Sequence, residues 1–167
     1  AVYFLILFGL TLYGAHRLKM LVLYWRAMKR PVLVEPDLGR TPKVCIQLPL
    51  FNEPLVVEAL LEKVSSIRWP ESECEIQILD DSTDETPEII ARWIEQNSDA
   101  AARMTHVRRP KREGYKAGAL EYGIELTDAE FFAIFDADFR PEPDFLERMI
   151  RHFAADDVAV VQARWEF

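Results

Sequence analysis

With 167 residues, half of them hydrophobic, the chain is long enough to close one domain around a real core. Its net charge of −8 is unevenly divided: residues 1 to 40 carry six Lys or Arg against two Asp or Glu, and the remainder carries 14 against 26. So acidic a body argues against nucleic acid as a partner, because phosphate backbones are held by clustered cations.

In chain order, the first 15 residues are uncharged and almost wholly apolar; His16, Arg17 and Lys19 interrupt, and Met20 to Trp25 is apolar again. Residues 1–27 therefore predict a transmembrane helix or, because charges begin early, an interfacial one; either way a membrane lipid partner is implied. Arg17, Lys19, Arg26, Lys29 and Arg30 all lie on the carboxyl side of the apolar stretch. The positive-inside rule then places the globular part of the chain in the cytoplasm, at an inner, plasma or Golgi-type membrane, and a cleaved signal peptide is disfavoured. The absence of an initiator Met fits a fragment. Residues 28–42, with Pro31, Pro36, Gly39 and Pro42, read as an extended linker, and 43–167 as the globular domain.

Strands are expected at Lys43–Leu48, Glu75–Leu79, Met104–Val107, Phe131–Phe135 and Val158–Gln162. Helices are expected from Asn52-Glu53-Pro54 with Asn52 as N-cap and Leu55, Ala59, Leu60 and Val64 inward, then over Thr86–Gln96, Ala117–Leu126 and Asp144–Phe153. Strands alternating with helices imply an α/β three-layer sandwich with a mostly parallel sheet. Cys45 and Cys74 fall in or beside strands and read as reduced core residues of a cytosolic domain.

Five segments carry candidate chemistry. Leu48-Pro49-Leu50-Phe51-Asn52-Glu53 sits where a base or ribose enters, though an ordinary strand–turn–helix junction uses the same residues. Asp80-Asp81-Ser82-Thr83-Asp84 ends the second strand; acids there accept hydrogen bonds from a base imide N–H and ribose hydroxyls, or serve as caps. The stretch from Arg108 to Leu120 is the one basic island of the acidic body, with Gly114 and Gly118 bracketing Lys116 at a predicted helix start. Backbone N–H groups and a cation there face phosphate together, with Arg109 and Arg112 as further candidates. Asp136-Ala137-Asp138 places two hard oxygen ligands for Mg²⁺ or Mn²⁺ carrying a diphosphate. Strand alternation would aim the two acids to one side, and like charges that close need a cation, the nearest in sequence being Arg140. Lastly, Arg164 and Trp165 offer an acceptor-side pair, since aromatic faces stack on sugar rings; a packed edge is the other reading.

Taken in order, these segments resemble the first half of the catalytic domain of the family 2 glycosyltransferases, in the membrane-embedded cellulose synthase-like and glucomannan synthase-like branch. The residues that carry it are Gln47 to Glu53, Leu79 to Asp84, Gly114-Tyr115-Lys116-Ala117-Gly118-Ala119-Leu120, Phe135 to Phe139, and Val161 to Trp165. The resemblance implies a GT-A-type Rossmann-like domain, truncated here, binding a nucleotide sugar through Pro49, Asn52, Glu53, Asp80, Asp81, Lys116 and Asp136. It implies that Asp81 contacts the base, Lys116 the diphosphate region, and Asp136 with Asp138 a Mg²⁺ or Mn²⁺. In such enzymes the general base and a Gln-x-x-Arg-Trp motif come later, so no catalytic base is expected within residues 1 to 167. The expectation is thus the donor-binding part of an inverting hexosyltransferase, moving glucose from UDP or mannose from GDP to a β-linked glycan acceptor. A catalytically inactive nucleotide-sugar module and a membrane-tethered phospho-receiver module are the alternatives.

Overall fold

VCIQLPL, Val44–Leu50, is apolar at nearly every position and forms β1, a strand buried on both faces, as the centre of a parallel sheet requires. In the computed structural model, which describes residues 2–28, 38–155 and 157–163, β1 is flanked by β2 (Cys74–Asp80) and β4 (Phe131–Ile134), and β2 by β3 (Met104–Val107). All pairings are parallel, with Val44 opposite both Cys74 and Phe131, and Ile76 opposite Met104. The chain divides into two units, Ala1–Val34 and Glu35–Phe167.

Alternation along β1 and β2 separates two faces. Ile46, Leu48, Ile76 and Ile78 join Val57, Leu60, Leu61 and Val64 of α2 (Val57–Ser65) and Ile89 and Ile90 of α3 (Thr86–Gln96) in one buried cluster. Leu146 and Ile150 of α5 (Phe145–Ile150) complete it. Gln47 and Gln77 face the other way, beneath α4 (Tyr115–Ile124), whose Gly123 lies against their side chains. The three-layer, mostly parallel α/β expectation is borne out.

Several local expectations are corrected. The second helix starts at Val57 rather than at Asn52. Asn52 is not its N-cap but sits in the left-handed region at φ 57°, its Oδ1 accepting from the Thr83 N–H at 2.9 Å. That kink rotates the helix face: Val57 and Leu61 go inward, while Leu55 is 95% exposed and Ala59 is also exposed. The helix expected from Ala117 begins two residues earlier, at Tyr115. The last helix stops at Ile150 and tightens into a 3₁₀ turn over Arg151–Ala154. No strand forms over 158–162; the segment has strand-like composition but gains no ladder partner among the described residues, and Val160 is left largely exposed.

Most of the proposed linker lies outside the described residues. Cys45 and Cys74 are buried free thiols, and burial pushes both up from the ordinary thiol range. The first unit holds α1 (Val2–Met28), a 27-residue helix exposed over residues 2–27. At ~1.5 Å per residue it reaches roughly 40 Å, and it is long and apolar enough to cross a membrane. Its internal Arg17 is answered one turn back, donating to Tyr13 Oη at 3.1 and 2.9 Å with its guanidinium 5.4 Å from the ring centre.

Candidate functional site

The chain steps from β1 outward to β2 and β3, then crosses back to lay β4 on the other side of β1. Such a reversal leaves a crevice at the carboxyl ends of the strands on either side of it. A cleft of about 500 Å³ stands there, lined by Pro49, Glu53, Asp81, Lys116, Asp136 and Asp138, with Phe51 and Arg112 among the rest. Seven of the sequence-derived candidates, Arg112 included, are therefore brought together. Asn52 and Asp80 are not in the lining, and Arg164 and Trp165 lie outside the described residues.

Two loops build one wall. Asn52 N–H donates to Ser82 Oγ at 2.9 Å and Glu53 N–H to Thr86 Oγ1 at 3.0 Å, so the segment after β1 is laced to the segment after β2. This explains Asn52: its amide oxygen and backbone serve the wall, while Pro49 and Glu53 face the cleft. Asp80 turns inward, its side chain fully buried. One oxygen accepts from the Ser82 N–H at 2.8 Å and the other meets His106 Nε2 at 2.9 Å. Burial pushes its carboxyl up, but the hydrogen bonds from His106 and Ser82 outweigh that and hold it below the ordinary carboxylate value. Asp81, its neighbour, takes a fork from Arg109, with Nε to Oδ1 at 2.8 Å and Nη2 to Oδ2 at 2.6 Å. Both side chains are more than nine-tenths buried, and the hydrogen bonds Arg109 donates to Asp81 raise its guanidinium further.

The basic island divides by role. Arg108 donates to the Ser82 carbonyl at 2.7 Å. Arg112 lies over the Phe51 ring, 3.4 Å from its centre, and 4.9 Å from that of Tyr115. Lys116 points into the cleft from the first turn of α4 and pairs with Asp136 Oδ1.

Beyond β4 the chain turns, with Phe139 N–H donating to the Asp136 carbonyl at 2.9 Å. Phe139 stacks on buried Phe135 at 5.2 Å, and both rings pack edge-on against Phe145 of α5. The turn is thereby anchored, and Asp136, Ala137 and Asp138 all line the cleft. A turn rather than strand alternation gathers the two acids, and Lys116 rather than Arg140 meets Asp136; Arg140 donates to the Ala137 and Phe139 carbonyls. Among the described residues no cluster of three protein ligands forms. Two exposed carboxylates in a cleft with room for a diphosphate still suit Mg²⁺ or Mn²⁺, which takes its remaining oxygens from phosphate and water. The residues fit.

His106, Phe51 and Tyr115 were not singled out in the sequence. For His106 the available signal is its place one residue before the end of a strand beside Asp80; for the rings it is their adjacency to candidate motifs.

A profile described as glycosyl transferase family 2 matches residues 45–167. The chain belongs to that family. Family 2 membership removes the support for the phospho-receiver alternative. The chain is 41% identical over 140 residues to glucomannan 4-beta-mannosyltransferase 1 of Oryza sativa subsp. japonica, covering 80% of this chain and 27% of that protein. It is 40% identical over 152 residues to the probable glucomannan 4-beta-mannosyltransferase 1 of Arabidopsis thaliana, covering 86% of this chain and 26% of that protein. The chain thus spans about a quarter of the length of these relatives. Among solved structures, the mannosyltransferase PcManGT from Pyrobaculum calidifontis, in complex with GDP-Man and Mn²⁺, superposes with a TM-score of 0.73 at 32% identity, covering 89% of this chain and 44% of that one. TarS 1-349 of S. aureus, at 20% identity over 64% of this chain and 30% of that one, with a TM-score of 0.54, shares the fold. The GT-A-type expectation is borne out.

Proposed function

We propose that this chain is the donor-binding part of a membrane-bound, inverting hexosyltransferase that draws mannose from GDP-mannose to extend a β-linked glycan. The observation that carries this is one cleft at the sheet's reversal holding Asp81, Lys116, Asp136 and Asp138 together. GDP-mannose is set ahead of UDP-glucose because the rice relative and PcManGT are mannosyltransferases, the latter holding GDP-Man.

Each side chain then has a definite task. Asp81, oriented by Arg109, accepts from the base N–H. Pro49, Glu53 and Phe51 form the wall against base and ribose, and Lys116 answers the diphosphate's charge. Asp136 and Asp138 would hold Mg²⁺ or Mn²⁺, which when bound would supply positive charge to the leaving nucleoside diphosphate. The general base that deprotonates the acceptor hydroxyl belongs, in this proposal, to sequence outside the chain, as do the acceptor groove and any product path. The α1 helix anchors the unit, with the cleft on the cytoplasmic side.

The test is titration of the full chain in detergent or lipid nanodiscs with GDP-mannose, GDP, UDP-glucose and UDP, with and without Mn²⁺. Metal-dependent binding, tightest for the guanosine donor, is expected. Asp138→Asn should weaken it by about tenfold or more, ~1.4 kcal/mol. A folded chain that binds none of the four in a metal-dependent way would defeat the reading; tighter binding of the uridine donor would replace the sugar assignment alone.

A further inference from the structure

Arg109 does not line the cleft, although its place in the basic island marked it as a candidate phosphate contact. Four of its five N–H donors are committed within the protein. Nε and Nη2 grip Asp81, Nη1 donates to the Glu113 carbonyl at 2.6 Å, and Nη2 also donates to the Tyr115 carbonyl at 2.8 Å. These two carbonyls flank Gly114. Gly114 and Tyr115 are both left-handed, at φ 70° and 50°. Glycine adopts that region freely, but a tyrosine held there is strained and persists only when its surroundings fix it. Lys116 is the next residue. Gly118 closes the arrangement: a methyl there would overlap the Glu113 carbonyl oxygen and sit 2.8 Å from Arg109 Nη1.

We propose that Arg109 is a positioning residue that couples the base-facing carboxylate of Asp81 to the phosphate-facing start of α4. One planar guanidinium sets the angle of Asp81 and, through the carbonyls on either side of Gly114, the turn that delivers Lys116. Reading the base and holding the diphosphate therefore share a single rigid support. Lysine cannot replace it, since one ammonium does not span a carboxylate and two carbonyls in a fixed fork. The inference rests on the nucleotide-sugar reading of the cleft.

The experiment compares Arg109→Lys with the wild-type full chain, both in nanodiscs. Amide hydrogen exchange without ligand comes first. Residues 114–118 should exchange at least tenfold faster in the variant while α3 is unchanged; equal rates overturn the proposal. Binding of GDP and of pyrophosphate, each with Mg²⁺, comes second. Both should weaken by about tenfold, although pyrophosphate carries no base; pyrophosphate affinity within twofold of wild type in a folded variant also overturns it. Should the variant fail to fold, the wild-type Arg109 Nε–H is tracked by NMR during a pyrophosphate titration. A shift of that proton on binding supports coupling, and its indifference overturns coupling. Wild-type chain that binds neither ligand sinks the nucleotide-sugar reading, while the exchange comparison still decides the role of Arg109.

Discussion

Asp80 gives its oxygens to the Ser82 amide and to His106, whereas Asp81, one residue on, is held by Arg109 at the cleft wall. Both adjacent acids were candidate ligands in the sequence, the resemblance assigning the base to Asp81; the pleat sends them to opposite sides and so to different roles. Because the Asp80 carboxyl is held below its unfolded value, it contributes stability that is present above the ordinary carboxylate range and lost as pH falls through its folded pKa. Asp80→Asn should therefore cost about 1–3 kcal/mol near neutrality. Urea unfolding across a pH series should show the gap to wild type closing below about pH 4. Lys116 yields a second expectation. Its ion pair with Asp136 is about half exposed, and such pairs are worth ~0–1 kcal/mol. Lys116→Met should tighten Mn²⁺ binding in the absence of nucleotide by up to about fivefold, and weaken pyrophosphate binding. Mn²⁺ resonance spectroscopy reads the first, and an unchanged value would mean that lysine does not compete for that acid.

Element by element, legibility tracked how local the determining forces were. The third helix ran as expected from Thr86 to Gln96, because Thr-Pro and its apolar spacing are local signals, and β3 matched its expected span. The start of α2 did not, since the left-handed Asn52 is imposed by Ser82 and Thr83 some 30 residues away in sequence. The fifth strand failed for the complementary reason: apolar composition makes a strand only where a neighbour offers a ladder. The fit of α4 on the sheet is likewise tertiary. A methyl at Gly123 would stand 2.5 Å from Gln47 Nε2 and 2.6 Å from Gln77 Oε1. Gly123→Ala should destabilise by ~1–3 kcal/mol through overpacking, seen as a melting temperature lowered by several degrees. An unshifted melt would show that the helix lifts without cost.

For the chain as a whole, α1 leaves Phe4, Leu5, Phe8 and Leu10 exposed, the surface that the proposed membrane anchor would bury in lipid. Replacing Leu5 and Phe8 together by arginine adds about 2.5–3.5 kcal/mol per site to insertion. The double variant should no longer float with liposomes in a density gradient, and continued flotation would locate the anchor elsewhere.

Sequence alone determined the alternating elements, the apolar first helix, the order of the acidic and basic stations and hence the family, because each is written in neighbouring residues and their periodicity. Only the tertiary structure decided that Asp80 is buried away from the cleft, which arginine braces Asp81 and which cation meets Asp136. Those choices depend on strand register and on backbone carbonyls contributed by distant segments, and no local pattern encodes them.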